Sequence, residues 1–529
     1  MTTAFETTGA APLTIWGKAG PRSWRTGGPA IVAYFALARV LLYVYAGGHY
    51  GYFRDELYYI ACGDHLAWGY VDQPPLVAVI VKLSRLLFGD SLHALRLFPA
   101  LAGAGLIVLT GAITRELGGR RFAQVLAALA VLAAPIYLGI DSIMTMNAFE
   151  PLFWMGCAYV IILVIKRQNP KLWLWFGVLA GLGLENKYSM LIFGVAVIAG
   201  MVLTPARRFG ASSWFWIAGG VALAIFLPNL IWNVRNHFPF VELMHNIKMS
   251  GRDVKLGPVE FVLQQILLVN PLAFPIWLAG LGFFLFSKRG RPYRLLGFAY
   301  LIALAILMYL HGKNYYLAPI YPMLLAGGAI AVDDAIDRIG WRWLKPAISA
   351  GLAAAAAALS PLVVPVLPVK TFLEYQAAFP IKSPATEKSH VGAPLPQLFA
   401  DQFGWEEMTA VVARIYNSLP PGEQEKTAIF ADNYGEAGAI DFFGPRYGLP
   451  KSISGHQSYF FWGPRNYTGE VMIIVGSGGE DLAAKFQKVE VAAKLDNPYA
   501  IPFENRSIYL CWGLKANLKD VWPKVKNWD

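Results

Sequence analysis

The stretch Gly51–Leu76 reads GYFRDELYYIACGDHLAWGYVDQPPL and follows the first long apolar segment of the chain. It holds three acidic residues, Asp55, Glu56 and Asp72, among many aromatic side chains. The stretch is too polar to lie in lipid and too aromatic for a fully solvated loop. This composition is typical of a layer on a membrane surface, where amphipathic rings are favoured. We therefore expect the rest of the chain to hold this layer at one face of a membrane.

The composition of the whole chain indicates a polytopic membrane protein. Of the 529 residues, 56% are hydrophobic and only 15% are charged, whereas soluble proteins usually carry about 25% charged residues. A bilayer core requires about 20 apolar residues of helix, and the sequence predicts eleven such spans, with a margin of two. The predicted spans are 30–47, 94–114, 122–140, 147–165, 172–184, 188–203, 213–232, 261–286, 295–310, 315–332 and 347–368.

The charge distribution predicts how these spans are oriented. Residues 370–529 contain 16 Lys and Arg against 18 Asp and Glu, a net charge of −2. Because the whole chain has a net charge of +11, the first 369 residues carry a net charge of +13. Basic loops alternate with loops that have few cations, and cytoplasmic loops are the ones that carry the excess. The N-terminus is then inside, whereas the loop 233–260 and everything after about 369 lie outside with the aromatic layer. Membrane orientation explains the positive charge, and nucleic acid is not an expected partner.

Three regions follow from these patterns: a cytoplasmic tail over 1–29, a transmembrane domain over 30–368 and an extracytoplasmic soluble domain over 369–529. In the last region, the strand-length runs TAIFADN, VMIIVGS and SIYLCWG alternate with helical patterns such as GWEEMTAVVARIYNSL. This alternation predicts a small α/β domain. The segment LVAVIVKLSRLLFG after Pro75 is too short and too charged to span comfortably, and it predicts an interfacial helix.

The chain lacks the sequence motifs of nucleotide and metal enzymes: it has no DxD, P-loop, GxGxxG, HExxH or CxxC motif. Cys62, Cys157 and Cys511 form no disulfide framework, although a bridge between Cys62 and Cys511 stays open. An outward-facing transferase needs an activated donor that has crossed the membrane, and a polyprenyl-phosphate sugar is such a donor. The chemistry requires a carboxylate base for the acceptor hydroxyl, cations for the leaving phosphate and an apolar groove for the lipid.

RDELYY at 54–59 and DQPPL at 72–76 resemble the first outer loop of the GT-C polyprenyl-phosphate-sugar glycosyltransferases. That superfamily includes the protein O-mannosyltransferases and the lipid A aminoarabinose transferases. GLGLENKYS around Lys187 and HGKNYYLAPIYP around Lys313 resemble further family segments, so that the likeness covers about residues 30–330. It implies a GT-C fold with about 11 to 13 transmembrane helices, interfacial helices in the first outer loop and a C-terminal extracytoplasmic α/β domain. It also implies an inner-membrane glycosyltransferase of the bacterial cell envelope, with a polyprenyl-phosphate-sugar donor and a lipid, glycan or protein acceptor.

The required chemistry and the resemblance together give a candidate site. The catalytic candidates are Asp55, as the base, with Glu56 and Asp72. The candidates for binding the donor phosphate are Lys187, Arg252, Lys255, Lys313, Tyr315 and Tyr316. No cofactor is certain; a divalent metal is left open, with Asp72, His245 and His311 as its candidate ligands.

Two departures from the family pattern leave the identity of the sugar open. Many relatives have Glu-Lys before the Pro-Pro pair, whereas this chain has Asp72-Gln73 and so lacks that lysine. In the turn MTMNAFE, relatives often carry Asp at the position of Asn147.

Each candidate residue also has a purely structural interpretation. Asp55 could be a carboxylate favoured at a helix N-terminus, Asp72 a turn residue and Lys187 a snorkelling lysine. Arg252 and Lys255 could bind an anionic surface, and Tyr315 and Tyr316 could belong to an interfacial aromatic belt. Asp432 and Tyr434 in the outer domain are expected to shape a loop.

The whole protein has two alternative interpretations: a transporter or flippase of lipid-linked sugars, and a membrane scaffold whose outer domain binds a partner. Transporters usually show repeat symmetry and charges near the bilayer midplane, and this sequence shows neither clearly. An enzyme is therefore the favoured interpretation.

Overall fold

The computed structural model describes residues 27–379, 386–476 and 479–529. Residues 1–26 of the predicted cytoplasmic tail therefore lie outside the described residues. The apolar part of the chain forms the helices Gly28–Ala46, Leu92–Glu116, Arg121–Leu132, Pro135–Ile140, Met146–Arg167, Trp173–Asn186, Met190–Val202, Ser213–Arg235, Pro258–Val269, Phe274–Phe286, Arg294–Tyr309, Tyr321–Ile339 and Leu344–Leu359. The protein is a multi-pass membrane protein.

Each of the eleven predicted spans coincides with helix, although the helices differ in length. Among the described residues, six helices are long and apolar enough to cross a membrane, and two bent helix pairs raise the number to eight. The other three predicted spans correspond to the shorter helices that begin at Arg121, Trp173 and Leu344.

The predicted span 261–286 is divided in two. Helix Pro258–Val269 ends at Asn270, whose φ of 84° lies in the left-handed region. The Asn270 side chain accepts a hydrogen bond from the N–H of Leu272 (3.0 Å) and donates one to the carbonyl of Ala133 (3.0 Å). The following helix runs at 98° to the first. The prediction of one continuous span is wrong here, because side-chain hydrogen bonds stabilise a sharp turn in place of the helical ladder.

Helix Tyr321–Ile339 lies at the centre of the membrane part and is mostly buried. It packs tightly against helix Phe274–Phe286, because Gly328 stands at their crossing and a Cβ there would overlap the carbonyl of Ile276. Small residues let the backbones of membrane helices approach closely. The central helix continues the 3₁₀ segment Asn314–Ile320, so tight core packing also fixes the position of this segment.

Three further helices belong to the predicted outer layer: Arg54–Asp64, Leu76–Phe88 and Pro239–Ser250. The second of them is the predicted interfacial helix. Its cations Lys82 and Arg85 pair with Asp64 at 3.6 and 2.8 Å, and Leu86 and Leu87 of the same helix are exposed. This combination of paired charges and exposed apolar side chains suits a helix lying at a membrane interface.

The C-terminal part contains a four-stranded sheet made of β1 (Thr427–Ala431), β2 (Val471–Val475), β3 (Phe486–Lys494) and β4 (Ser507–Leu514). The strand order is β1-β2-β4-β3; β1 and β2 are parallel, and β4 is antiparallel to both its neighbours. The accompanying helices are Val369–Ala377, Gln397–Ala400, Trp405–Asn417, Pro421–Gln424, Tyr434–Phe443, Tyr459–Trp462, Gly479–Lys485 and Leu518–Val521. The three predicted strands and the predicted helix are confirmed. Strand β3 is not among the predictions, because its mostly polar, exposed residues are those of a protected sheet edge.

The outer layer and the C-terminal part share one hydrophobic core. Leu57 and Tyr58 of helix Arg54–Asp64 are buried in the same cluster as Trp405 and Ile473 of the C-terminal part. The segment 51–76 is therefore covered by the sheet-bearing part of the chain, and the candidate site lies where the two meet.

Candidate active site

Helix Arg54–Asp64 positions the first two acidic candidates. Phe53 precedes it in an extended conformation, and the carboxylate of Glu56, at the third helical position, accepts the N–H of Phe53 (2.8 Å). This bond satisfies one of the free N–H groups at the helix start. Asp55 lies in the same first turn, where the helix dipole favours a negative charge.

Asp55 is partly accessible, with 28% of its side-chain surface exposed, whereas the side chain of Glu56 is fully buried. Its Oδ1 accepts a hydrogen bond from the hydroxyl of Tyr434 (2.7 Å) and lies 3.8 Å from Nε of Arg54. Among the described residues, Oδ2 has no hydrogen-bond partner, so it can take a proton. Burial raises the pKa of Asp55, whereas Arg54 and the hydrogen bond from Tyr434 act in the opposite direction.

Tyr434 reaches Asp55 because helix Tyr434–Phe443 packs directly on the outer-layer helix. At Gly438 a Cβ would lie 2.8 Å from the carbonyl carbon of Leu57, so only glycine allows this approach. The Tyr434 ring also stacks on His456 with centroids 5.0 Å apart. The expectation that Tyr434 merely shapes a loop is therefore wrong, since its hydroxyl contacts the candidate base.

Glu56 has a different environment from its neighbour. Its side chain is fully buried and forms an ion pair with Arg96 at 2.8 Å. It also accepts hydrogen bonds from the N–H groups of Phe53 and Met144, both at 2.8 Å. With its oxygens occupied and no exposed surface, Glu56 anchors the helix, and the geometry does not support a direct catalytic role.

Asp72 lies on the other side of an aromatic pair from Asp55. Its Oδ1 accepts the hydroxyl of Tyr58 (2.9 Å), and the Tyr58 ring packs on Tyr434 with centroids 4.7 Å apart. Burial raises the pKa of Asp72 to about 7; Tyr58 lowers it, Asp55 raises it further and Arg252 lowers it. Asp55 and Asp72 are therefore electrostatically coupled.

Three cations converge on one carboxylate close to Asp55. Lys313 Nζ lies 2.9 Å, Arg54 Nη2 3.6 Å and Arg252 Nη2 3.9 Å from the carboxylate oxygens of Glu387. These charges hold the pKa of Glu387 well below its usual range, despite burial. Because Arg54 contacts both Asp55 and Glu387, the cation cluster and the candidate base form one continuous site.

Lys187 forms the neighbouring cationic position. Its buried Nζ pairs with Glu150 (2.9 Å) and donates a hydrogen bond to Asn147 Oδ1 (2.8 Å). The same ammonium lies 4.3 Å from the ring centroid of Tyr316 and 5.8 Å from that of Tyr315. The structure thus brings the predicted residues Lys187, Tyr315 and Tyr316 together. Asn147 accepts a hydrogen bond from the lysine.

Other predicted residues lie apart. Lys255, His245 and His311 are exposed, and the described part of the chain contains no group of three or more His, Cys, Asp or Glu side chains that could hold a metal ion. The metal site proposed from Asp72 and the two histidines is therefore not formed. Cys62 and Cys511 are buried and free, so the disulfide left open by the sequence is absent.

Several residues of the site are not among the sequence-based candidates: Arg54, Tyr434, Glu387 and Asp401, the last of which lies 3.8 Å from Arg54. Arg54 stands beside Asp55 in the RDELYY motif, so a signal for it was available. Glu387 lies in the segment EKSH, which has no recognisable pattern.

The fold and the site define the class as a membrane protein of the GT-C fold. The chain matches the structure of ArnT from Cupriavidus metallidurans bound to undecaprenyl phosphate, with a TM-score of 0.59, 15% identity and coverage of 90% of this chain and 97% of that chain. It also matches the oligosaccharyltransferase of Archaeoglobus fulgidus in its apo form, with a TM-score of 0.51, 12% identity and coverage of 80% and 64%. The helical arrangement with its small C-terminal sheet is thus the predicted GT-C fold.

Sequence comparison narrows the class further. Residues 72–232 match the family described as dolichyl-phosphate-mannose-protein mannosyltransferase. The lipid A galacturonosyltransferase RgtD of Rhizobium johnstonii is 27% identical over 264 residues, which cover 48% of this chain and 53% of that protein. The match therefore spans about half the length of this relative. Together, the sequence matches and the fold support a GT-C superfamily glycosyltransferase.

Proposed function

We propose that this protein transfers a sugar from a polyprenyl-phosphate donor to a lipid or glycan hydroxyl on the extracytoplasmic side of the inner membrane. The observation that carries the proposal is a partly exposed carboxylate, Asp55, with one free oxygen beside a cluster of Arg54, Arg252 and Lys313. ArnT, of the same fold, binds undecaprenyl phosphate, and RgtD acts on lipid A. Nothing in the fold or the comparisons favours a flippase.

In the proposed reaction, Oδ2 of Asp55 takes the proton of the acceptor hydroxyl while the hydroxyl oxygen attacks the anomeric carbon of the sugar. A new bond forms between that oxygen and the anomeric carbon, and the bond from the anomeric carbon to the phosphate oxygen breaks. The electron pair leaves with the polyprenyl phosphate, whose added charge the cations stabilise. Attack opposite to the leaving phosphate inverts the anomeric configuration.

Lys187 with Tyr315 and Tyr316 supplies a second cationic position next to this cluster. Its ammonium is paired with Glu150 and faces the ring of Tyr316. We assign it to the far side of the donor phosphate. Lys255 has no part in this arrangement.

The experiment that tests the proposal is Asp55→Asn in lipid nanodiscs. The lipid that co-purifies with the protein is first identified by mass spectrometry, and transfer from that donor is then measured. Asp55→Asn is expected to abolish transfer and to retain donor binding, because the amide keeps the shape but cannot take a proton. Asp64→Asn, on the same helix, is the matched control and should turn over normally. Normal turnover by Asp55→Asn would remove this residue from the mechanism.

A further inference from the structure

Glu387 occupies the centre of the cation cluster. Its side chain is 8% exposed, and among the described residues it is the one carboxylate that Arg54, Arg252 and Lys313 all contact. A carboxylate held by two guanidinium groups and an ammonium resembles the way in which proteins bind a phosphate.

Among the described residues, carboxylates already outnumber cations around this point. Three cations, Arg54, Arg252 and Lys313, face four carboxylates, namely Asp55, Asp253, Glu387 and Asp401. A donor phosphate that entered with all four carboxylates in place would meet an excess of negative charge in a partly dehydrated site, which is unfavourable. At least one carboxylate must leave for the phosphate to gain the cations.

The segment that carries Glu387 is joined to residues 252–254 by a short contact that can open and close. Residues 386–388 form a short antiparallel bridge with residues 252–254, in which Asp253 opposes Glu387. Two backbone hydrogen bonds join the two stretches, from the Val254 N–H to the Thr386 carbonyl and from the Lys388 N–H to the Arg252 carbonyl, both at 3.0 Å. The Thr386 hydroxyl also donates to Gln397 Oε1 (2.6 Å). Such bonds contribute little net free energy, because water replaces them when they open, and a bound phosphate would take over the ion pairs that Glu387 gives up.

We propose that Glu387 is an internal competitor of the donor phosphate, which gains Arg54, Arg252 and Lys313 by displacing this carboxylate. The inference rests on the proposed function and adds to it the residue that sets donor affinity. Displacement opens the contact between 252–254 and 386–388 and leaves the three cations to the phosphate. Release of polyprenyl phosphate after transfer is then assisted by the return of Glu387.

The first test measures binding of undecaprenyl phosphate alone to the full-length protein in nanodiscs. Glu387→Gln keeps the shape of the side chain and removes the competing charge, so it should lower the dissociation constant roughly tenfold, the effect of a single charged hydrogen bond. Glu406→Gln, an exposed carboxylate paired with Arg446, is the control and should bind as wild type does. Unchanged or weaker binding by Glu387→Gln would show that Glu387 only positions the cations, and would overturn the inference.

The second test keeps Glu387 and locks its segment. Val254 and Thr386 oppose each other across the bridge, so Val254→Cys with Thr386→Cys can form a disulfide that holds Glu387 in place. The native cysteines are buried and do not compete. The oxidised variant should lose binding of undecaprenyl phosphate, and reduction should restore it; full binding in the oxidised form would refute displacement. Wild-type protein that binds no undecaprenyl phosphate would instead refute the proposed function itself.

Discussion

Tyr434→Phe isolates the contribution of the C-terminal part to the candidate base. The substitution removes one hydroxyl, whose hydrogen bond to Asp55 is 2.7 Å long, and it leaves the ring to stack on His456 and Tyr58. A hydrogen bond to a charged group contributes about 1.5–3 kcal/mol. Because 28% of the Asp55 side chain is exposed and water can replace part of the bond, we take the lower end, about 1.5 kcal/mol, which corresponds to roughly a tenfold effect.

The sign of the effect follows from which form of Asp55 the hydroxyl stabilises. Tyr434 donates to the ionised carboxylate and so lowers the pKa of Asp55 against the effect of burial. Without the hydroxyl this pKa rises, and a smaller fraction of Asp55 is ionised and able to act as a base. The acid limb of kcat/KM should therefore move to higher pH. Below the limb, kcat/KM should fall roughly tenfold relative to wild type.

The assay is a pH profile of kcat/KM with the purified donor. Tyr52→Phe is a matched control, because Tyr52 also packs on helix Tyr434–Phe443 but donates its hydroxyl to the carbonyl of Asp90. This control should keep the wild-type profile. A Tyr434→Phe profile that falls equally at every pH, or that does not change, would refute the assignment of Tyr434 as the residue that tunes the base.

Three further substitutions separate the roles of the remaining residues. Glu56→Gln leaves the charge of Arg96 buried without its partner and should destabilise the fold by about 3–5 kcal/mol, seen as earlier thermal unfolding in detergent; a stable variant would contradict the anchoring role. Asp401→Asn removes a negative charge that raises the pKa of Asp55, so the acid limb of kcat/KM should move to lower pH, and an unmoved limb would show that Asp55 is not the group that titrates there. Lys313→Gln should raise the donor KM roughly tenfold through loss of a charged contact, whereas Lys255→Gln, at an exposed position, should leave it unchanged; equal effects would disprove a localised phosphate site.

The sequence predicted the parts of the site that depend on local patterns. The RDELYY and DQPPL motifs placed Asp55 and Asp72 on one outer layer, and the loop charges put Lys313 on the same face. Apolar run length located every helical segment of the membrane part. It could not distinguish a full span from a bent pair, because the turn at Asn270 depends on a hydrogen bond to Ala133, which is 137 residues away.

The adjacent residues Asp55 and Glu56 look equivalent in the sequence, and packing alone separates them. Glu56 points to the buried Arg96, 40 residues away, whereas Asp55 keeps contact with solvent. No local pattern encodes that difference. Tyr434 is further removed still, because it meets Asp55 across 379 residues of sequence.

The dependence of the site on the C-terminal part follows from how the segment 51–76 is buried. Leu57 and Tyr58 have almost no exposed surface, and residues of the C-terminal part provide much of the cluster around them. Removal of the C-terminal part would expose Leu57 and Tyr58 and would also break the hydrogen bond from Tyr434 to Asp55. The C-terminal part therefore forms one side of the candidate site. Without it, Asp55 would lack the hydrogen bond from Tyr434, and the cluster of Arg54, Arg252 and Lys313 would lack Glu387.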